Sequence, residues 1–362
     1  MIPLVKPFIP PKEELMPALE EILYSGYIAE GEPVYEFERQ FSTYLGNPNL
    51  LALHSGTDAL HLSLILAGVG KDDEVISTAL TAEPTNVAIT MVGAKVIWGD
   101  VDQNTGLLCP KSVESLITEK TKAILLVHYA GMVCDMDSFN DISARYGIPI
   151  IEDVAHALGS KYKNQMVGSN SPFSIFSLQA IKHMTTIDGG VLSFNSNANM
   201  DRARRMRWFG LDKGKSRLEN DITETGYKYA MNNVNATVGL VQMKYVDSIV
   251  KKYISNGKYF DNELKNVEGV ELLKYYDNTD PSYWLYTMKV ERRDEFIKKL
   301  AEHNIAASPL HHRNDSHSIF ASSKRELPNL DIFYTKMVHI PCGWWVTEED
   351  RAHIVNVIKA GW

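Results

Sequence analysis

The chain has 362 residues, 44% of them hydrophobic and 23% charged, with a formal net charge of -8; these proportions suit a globular chain long enough for one large domain and a smaller one. An acidic balance without a block of Lys and Arg argues against nucleic acid as a partner, and no apolar run approaches the roughly 20 residues that cross a bilayer. The start, Met1 to Pro7, lacks a basic-then-apolar leader, and Cys109, Cys134 and Cys342 are too scattered for a disulfide framework or a zinc site, so a cytoplasmic protein without a metal centre or a membrane partner is expected.

From about residue 50 to 195, short apolar runs alternate with helical patterns, as when parallel strands are joined by crossover helices. The predicted strands are Leu50 to His54, Glu74 to Ser77, Lys95 to Gly99, Ala123 to His128, Ile148 to Asp153, Phe173 to Ser177 and Gly190 to Phe194. The run Ala123-Ile124-Leu125-Leu126-Val127 is apolar throughout, which suits a strand covered on both faces. Asp58 to Ala67 is apolar on nearly every side and predicts a buried helix, and Val113, Leu116 and Ile117 follow helical spacing. After about residue 230 one long helical stretch runs through Val238, Val241, Tyr245 and Ile249. A strand at Trp284 to Val290, a helix at Arg293 to His303 and a last helix from Thr347 follow. The expectation is an α/β chain with a large, mostly parallel sheet domain over 1–245 and a smaller C-terminal α+β domain over 246–362.

Ligands of open parallel sheets collect beyond the carboxyl ends of the strands. That rule selects His54-Ser55-Gly56-Thr57, His128-Tyr129, Asp153 to His156 and Ser177 to Lys182. Lys182 lies on a loop between an apolar strand and the turn Gly189-Gly190, where an amine can be desolvated and fixed in direction for attack on a cofactor aldehyde. Asp153 ends an apolar strand, and a buried carboxylate needs a cationic partner such as a pyridinium nitrogen. Ser55-Gly56-Thr57 stands between a strand and a buried helix, so its amides and the helix dipole can hold a phosphate, with the Ser177 hydroxyl completing the cup. Each residue alone also has a plain structural reading: a solvated Lys, an Asp capping a helix, and a Ser or Thr N-cap.

Together these residues resemble the DegT/StrS-type sugar aminotransferases, a family of fold type I enzymes that use pyridoxal phosphate (PLP). The resemblance is collinear over nearly the whole chain. It runs from Ser25-Gly26-Tyr27-Ile28 and Phe37-Glu38 through His54-Ser55-Gly56-Thr57-Asp58-Ala59-Leu60 and Val127-His128-Tyr129-Ala130-Gly131. It continues through Ile151-Glu152-Asp153-Val154-Ala155-His156-Ala157-Leu158-Gly159-Ser160, the Lys182 segment with Thr185-Thr186 and Gly189-Gly190, and Gly226-Tyr227-Lys228-Tyr229.

The resemblance implies a fold type I PLP-transferase with Lys182 as the imine-forming lysine and the base, and Asp153 as the partner of the ring nitrogen. His156 stands in reach of the ring's phenolic oxygen, where the family often has Gln, and Gly56, Thr57 and Ser177 fall at phosphate positions. It further implies a homodimer with shared active sites, in which Lys228 takes the place of a phosphate contact made in trans. Ala82 falls where many members stack an aromatic residue on the cofactor. The implied reaction moves an amino group from glutamate to C3 or C4 of a nucleotide-linked keto sugar, for surface polysaccharide or glycoconjugate biosynthesis. The acceptor is expected near Gly26-Tyr27-Ile28, His128-Tyr129, Arg207-Trp208 or His311 to Asp315. Two alternatives remain: a dehydratase of the same fold, in which His replaces the lysine, and a non-catalytic binding relative. The register to Ser177 and Thr185-Thr186 puts Lys182 rather than His183 at the decisive position, and both Lys182 and Asp153 are present.

Overall fold

A computed structural model describes the whole chain, Met1–Trp362. Seven strands form the main sheet: β1 Leu50–Leu53, β2 Glu74–Thr78, β3 Lys95–Gly99, β4 Thr121–Val127, β5 Ile150–Asp153, β6 Phe173–Ser177 and β7 Gly190–Ser193. Each lies within two residues of its predicted span. Their spatial order is β1-β7-β6-β5-β4-β2-β3. From β6 to β3 all neighbours are parallel, whereas β7 runs antiparallel to both β6 and β1. The connection from Leu178 to Gly189 holds no helix. It therefore cannot make the crossover that a parallel neighbour needs, and the chain returns in the opposite direction.

Helices cover both faces of this sheet, so its strands are buried over most of their length and need no period-two alternation. The helix Gly56–Leu66 is one of the covering elements, and every one of its residues from Ala59 to Leu64 is buried. The spacing of Val113, Leu116 and Ile117 overstates the local helix, which spans only Pro110–Glu114.

The long helical stretch expected after residue 230 is two helices, Asn233–Met243 and Val246–Leu264. The break falls at Tyr245, whose N–H donates to Gln242 O at 2.8 Å. Its ring packs on Phe8 at 5.3 Å, and its hydroxyl bonds Glu14. These tertiary contacts turn the chain where hydrophobic periodicity runs on uninterrupted.

A second hydrophobic cluster gathers Phe260, Leu264, Met288, Val338, Ile340 and Ile354 around a three-stranded antiparallel sheet. That sheet has the order β8 Val270–Leu272, β9 Tyr286–Val290 and β10 Met337–Ile340. The predicted last helix is Glu348–Lys359, started by a capping box between Thr347 and Asp350. Trp284 and Leu285, just before β9, leave this cluster and pack into the core of the main sheet. No helix is long and apolar enough to cross a membrane.

Candidate active site

Three chain segments meet at the carboxyl end of β6. Ser55 caps the helix Gly56–Leu66 by accepting Asp58 N–H at 3.0 Å, and the first-turn amides of Gly56 and Thr57 have no partner within the helix. A Cβ on Gly56 would stand 3.0 Å from Ser177 Cβ, and one on Gly190 would stand 2.3 Å from Ser55 O. The two glycines thus let the β1 turn, the end of β6 and the start of β7 close on one another. The result is a cup with a helix N-terminus at its base and the Ser177 hydroxyl on its rim, suited to an anionic phosphate.

Asp153 is the last residue of β5 and only 2% exposed. Its Oδ1 accepts Ala155 N–H at 3.0 Å and its Oδ2 accepts Thr85 Oγ1–H at 2.8 Å. Burial raises its pKa, opposed by those two bonds and by the charge of Lys182. Both hydrogen-bond partners are neutral. A buried carboxylate so placed favours a cationic group in the adjoining space.

Lys182 is half-buried, with Nζ 4.2 Å from the centroid of the Trp284 ring. Desolvation lowers its pKa to about 8, opposed by Asp153. An amine tuned to that range can both hold and release a proton near neutrality. His183 is turned away from this space: its Nε2 bonds Ser282 O at 3.3 Å, and its ring packs on Tyr253.

His156 lies between two rings, Trp284 at 4.0 Å and 18° and His311 at 5.6 Å and 5°. The Ala130 N–H donates to His156 Nδ1 at 3.4 Å, which leaves the imidazole proton on Nε2, free for an oxygen acceptor. Burial and the nearby charge of Lys182 hold the His156 pKa well below its usual value, so the ring is neutral. The amide of Ala130 is aimed by a left-handed backbone at Ala130 and Gly131, with φ of 55° and 95°.

A cavity of about 280 Å³ is lined by Gly56, Thr57, Asp153, His156, Ser177 and Lys182. Six of the seven site residues expected from sequence therefore share one space. Lys228 does not: it lines a separate cavity with Ile28, His54 and Trp208. Among the segments expected at the acceptor, His311 lines the Lys182 cavity. His128 does not, being fully buried and paired with Glu152 at 3.1 Å. Arg207 does not either, because Glu30 and Glu38 hold its guanidinium, each at 2.6 Å, beneath the helix Glu32–Leu45. Ala82 lines the cavity with a methyl group only, so position 82 supplies no stacking ring. The sequence reading missed Thr85 and Trp284. Thr85 lies in the first turn of the helix Glu83–Met91, several residues past the end of β2, and Trp284 reads as the head of an apolar strand.

The cup, the buried carboxylate and the amine together suit the three parts of PLP: its phosphate, its ring nitrogen and its aldehyde. The chain matches the DegT/DnrJ/EryC1/StrS aminotransferase family over residues 11–359. It is 35% identical to the UDP-4-amino-4-deoxy-L-arabinose--oxoglutarate aminotransferase of Shewanella sediminis over 84% of this chain and 82% of that one. It is 29% identical to the spore coat polysaccharide biosynthesis protein SpsC of Bacillus subtilis over 96% of this chain and 94% of that one. Its fold is similar to that of the sugar aminotransferase CalS13 from Micromonospora echinospora, with a TM-score of 0.96, 34% identity and full coverage of both chains.

Proposed function

Because the chain belongs to the DegT/DnrJ/EryC1/StrS aminotransferase family, we propose that it moves an amino group from glutamate to C3 or C4 of a nucleotide-linked keto sugar. It is a PLP-dependent aminotransferase, and pyridoxal phosphate is its cofactor. The sugar acceptor is supported by the relatives with sugar and polysaccharide roles in their names. The single observation that carries the site assignment is the common cavity of Lys182, Asp153, His156, Gly56, Thr57 and Ser177.

When bound, PLP supplies an aldehyde that takes up and hands on the amino group and a ring that accepts the electron pair of a breaking C–H bond. Lys182 would be the attachment point and the base, its Nζ holding and releasing the proton that the reaction moves. Asp153 would hold a positive ring nitrogen by its buried charge. His156 would donate from Nε2 to the ring oxygen, and the Gly56–Thr57 amides with Ser177 would anchor the phosphate. His311 closes the cavity from the C-terminal side.

The reading includes a cytoplasmic homodimer with Lys228 serving the partner's phosphate and a division of the chain near residue 245. The dimer is supported by the exposed Ile28, which lines the Lys228 cavity, and by the exposed Tyr27 beside it in the chain, and the division by the separate apolar cluster that begins at Phe260.

The test is a panel of 3-keto and 4-keto nucleotide sugars incubated with holoprotein and glutamate, with aminated product read by mass spectrometry. The visible band of the purified protein should bleach with glutamate and return with the matching sugar. A Lys182→Ala protein that binds PLP and turns over as fast as the parent would overturn the assignment of Lys182. A panel with no aminated sugar, from protein that does bleach with glutamate, would overturn the acceptor.

A further inference from the structure

Lys182 has no hydrogen-bonding side chain to fix it, yet the backbone on both sides of it is held by one short segment of the C-terminal part. On one side the Trp284 indole N–H donates to Ile181 O at 2.9 Å. On the other, His183 Nε2 donates to Ser282 O at 3.3 Å. Between these anchors the Lys182 Nζ rests over the Trp284 ring at 4.2 Å. The same ring stacks on His156 at 4.0 Å.

The segment Ser282–Leu285 is itself fastened at several points. Ser282 N–H donates to Gly131 O at 3.2 Å and to Ser160 Oγ at 3.0 Å, and Leu285 N–H donates to Ala130 O at 3.4 Å. Tyr283 adopts the left-handed region, φ 51°, with its hydroxyl on Asp261 Oδ2 at 2.6 Å. A strained, multiply bonded backbone of this kind persists only where the surroundings over-determine it. Trp284 is only 1% exposed, so its ring has little freedom to move.

We propose that Trp284 is a positioning residue for both Lys182 and His156: the indole N–H fixes the peptide before the lysine, and contact with the face of the ring fixes the amine and the imidazole. Position 182 is thereby set by the packing of the C-terminal part onto the main sheet as well as by the loop's own bonds, such as Lys182 N–H to Gln179 O at 3.0 Å. His183 completes the clamp as a hydrogen-bond anchor through its Nε2–H; burial keeps its pKa down, to about 3, against the bond to Ser282 O that raises it. The charged or titratable groups that line the cavity with Lys182 are Asp153, His156, Asp188 and His311, so a displaced lysine meets a different field.

The inference rests on Lys182 being the attachment lysine, which Lys182→Ala tests independently through the visible band. The experiment on Trp284 uses the full-length holoprotein with Trp284→Phe and Trp284→Leu. Phe keeps a ring and loses the N–H; Leu loses both. Thermal melts report folding, the pH midpoint of the visible absorbance and the visible circular dichroism report the site, and stopped flow with glutamate reports proton transfer. We expect Trp284→Leu to fold, to shift the absorbance midpoint by roughly half a pH unit or more, and to slow the glutamate step about tenfold with KM little changed. Trp284→Phe should keep the parental midpoint and slow the step about threefold. A folded Trp284→Leu protein with parental midpoint and rate overturns the proposal, as does a loss confined to KM. If Trp284→Leu does not fold, Trp284→Phe decides: a parental rate removes the role of the indole N–H, and the expected slowing at an unchanged midpoint supports it.

Discussion

Thr85 Oγ1 donates a 2.8 Å hydrogen bond to Asp153 Oδ2, joining the helix after β2 to the carboxyl end of β5. The bond stabilises the ionised form of a carboxyl group whose pKa burial raises. Thr85→Val keeps the shape and removes the donor, leaving a buried lone pair unpaired at a cost of about 1–2 kcal/mol. We expect retention of PLP to weaken roughly 5- to 30-fold, measured by equilibrium dialysis of the holoprotein. Asp153→Asn should weaken it further, because the charge itself is lost. Equal retention by Thr85→Val and the parent would remove Thr85 from the site.

Lys182 provides a pH test of the unloaded protein. Its pKa in the fold, about 8, lies below the 10.5 of a free lysine. The unfolded chain therefore binds more protons between pH 8 and 10.5, and stability rises with pH across that window. Below pH 8 the cost of the desolvated charge is fully present. Lys182→Met apoprotein should melt higher than parental apoprotein at pH 7, and the gap should close as the pH rises through that window. Melting curves at several pH values check this; a gap that widens toward high pH contradicts the sign.

Gly190 is the tightest point of the phosphate cup. A Cβ there meets Ser55 O at 2.3 Å and Gly56 N at 2.6 Å, both backbone atoms that cannot swing aside. Gly190→Ala should cost more than about 2 kcal/mol and reduce PLP retention in the protein that does fold. Gly70, whose nearest neighbour to an added Cβ is 3.9 Å away, is the control. Urea unfolding should find Gly70→Ala within roughly 0.5 kcal/mol of the parent.

Asn314 locks the segment that carries His311 onto the main sheet. It is fully buried, its N–H bonds Ala79 O at 2.9 Å, its Nδ2 bonds Thr81 O at 2.8 Å, and its Oδ1 accepts from Asn86 at 2.8 Å. Asn314→Ala leaves Asn86 and Thr81 without these partners and should destabilise the fold by about 2–3 kcal/mol. With the His311 wall loosened, the sugar half-reaction should suffer more than the glutamate half-reaction. Single-turnover measurements of each half separate the two, and an equal loss in both would disconnect Asn314 from the acceptor side.

Much of this arrangement was readable from local sequence. The seven strands follow from apolar runs bounded by polar residues, and the ligand-edge rule picks out Gly56, Asp153, Ser177 and Lys182 because each ends such a run or lies within five residues of its end. What was not readable depends on partners far along the chain. Tyr245 breaks a helix through Phe8 and Glu14. Arg207 looked free to meet a substrate, yet two glutamates from the chain's first 40 residues enclose it.

For Lys182 the division is clear. Local sequence places this amine at the edge of the sheet, since strand, loop and paired glycines lie close to it in the chain and short-range geometry sets the order. How the peptide before it is anchored follows from long-range packing, because Ile181 and Trp284 are 103 residues apart. Their contact arises from packing two apolar cores together, a choice made by shape and burial over the whole chain and not by any local pattern.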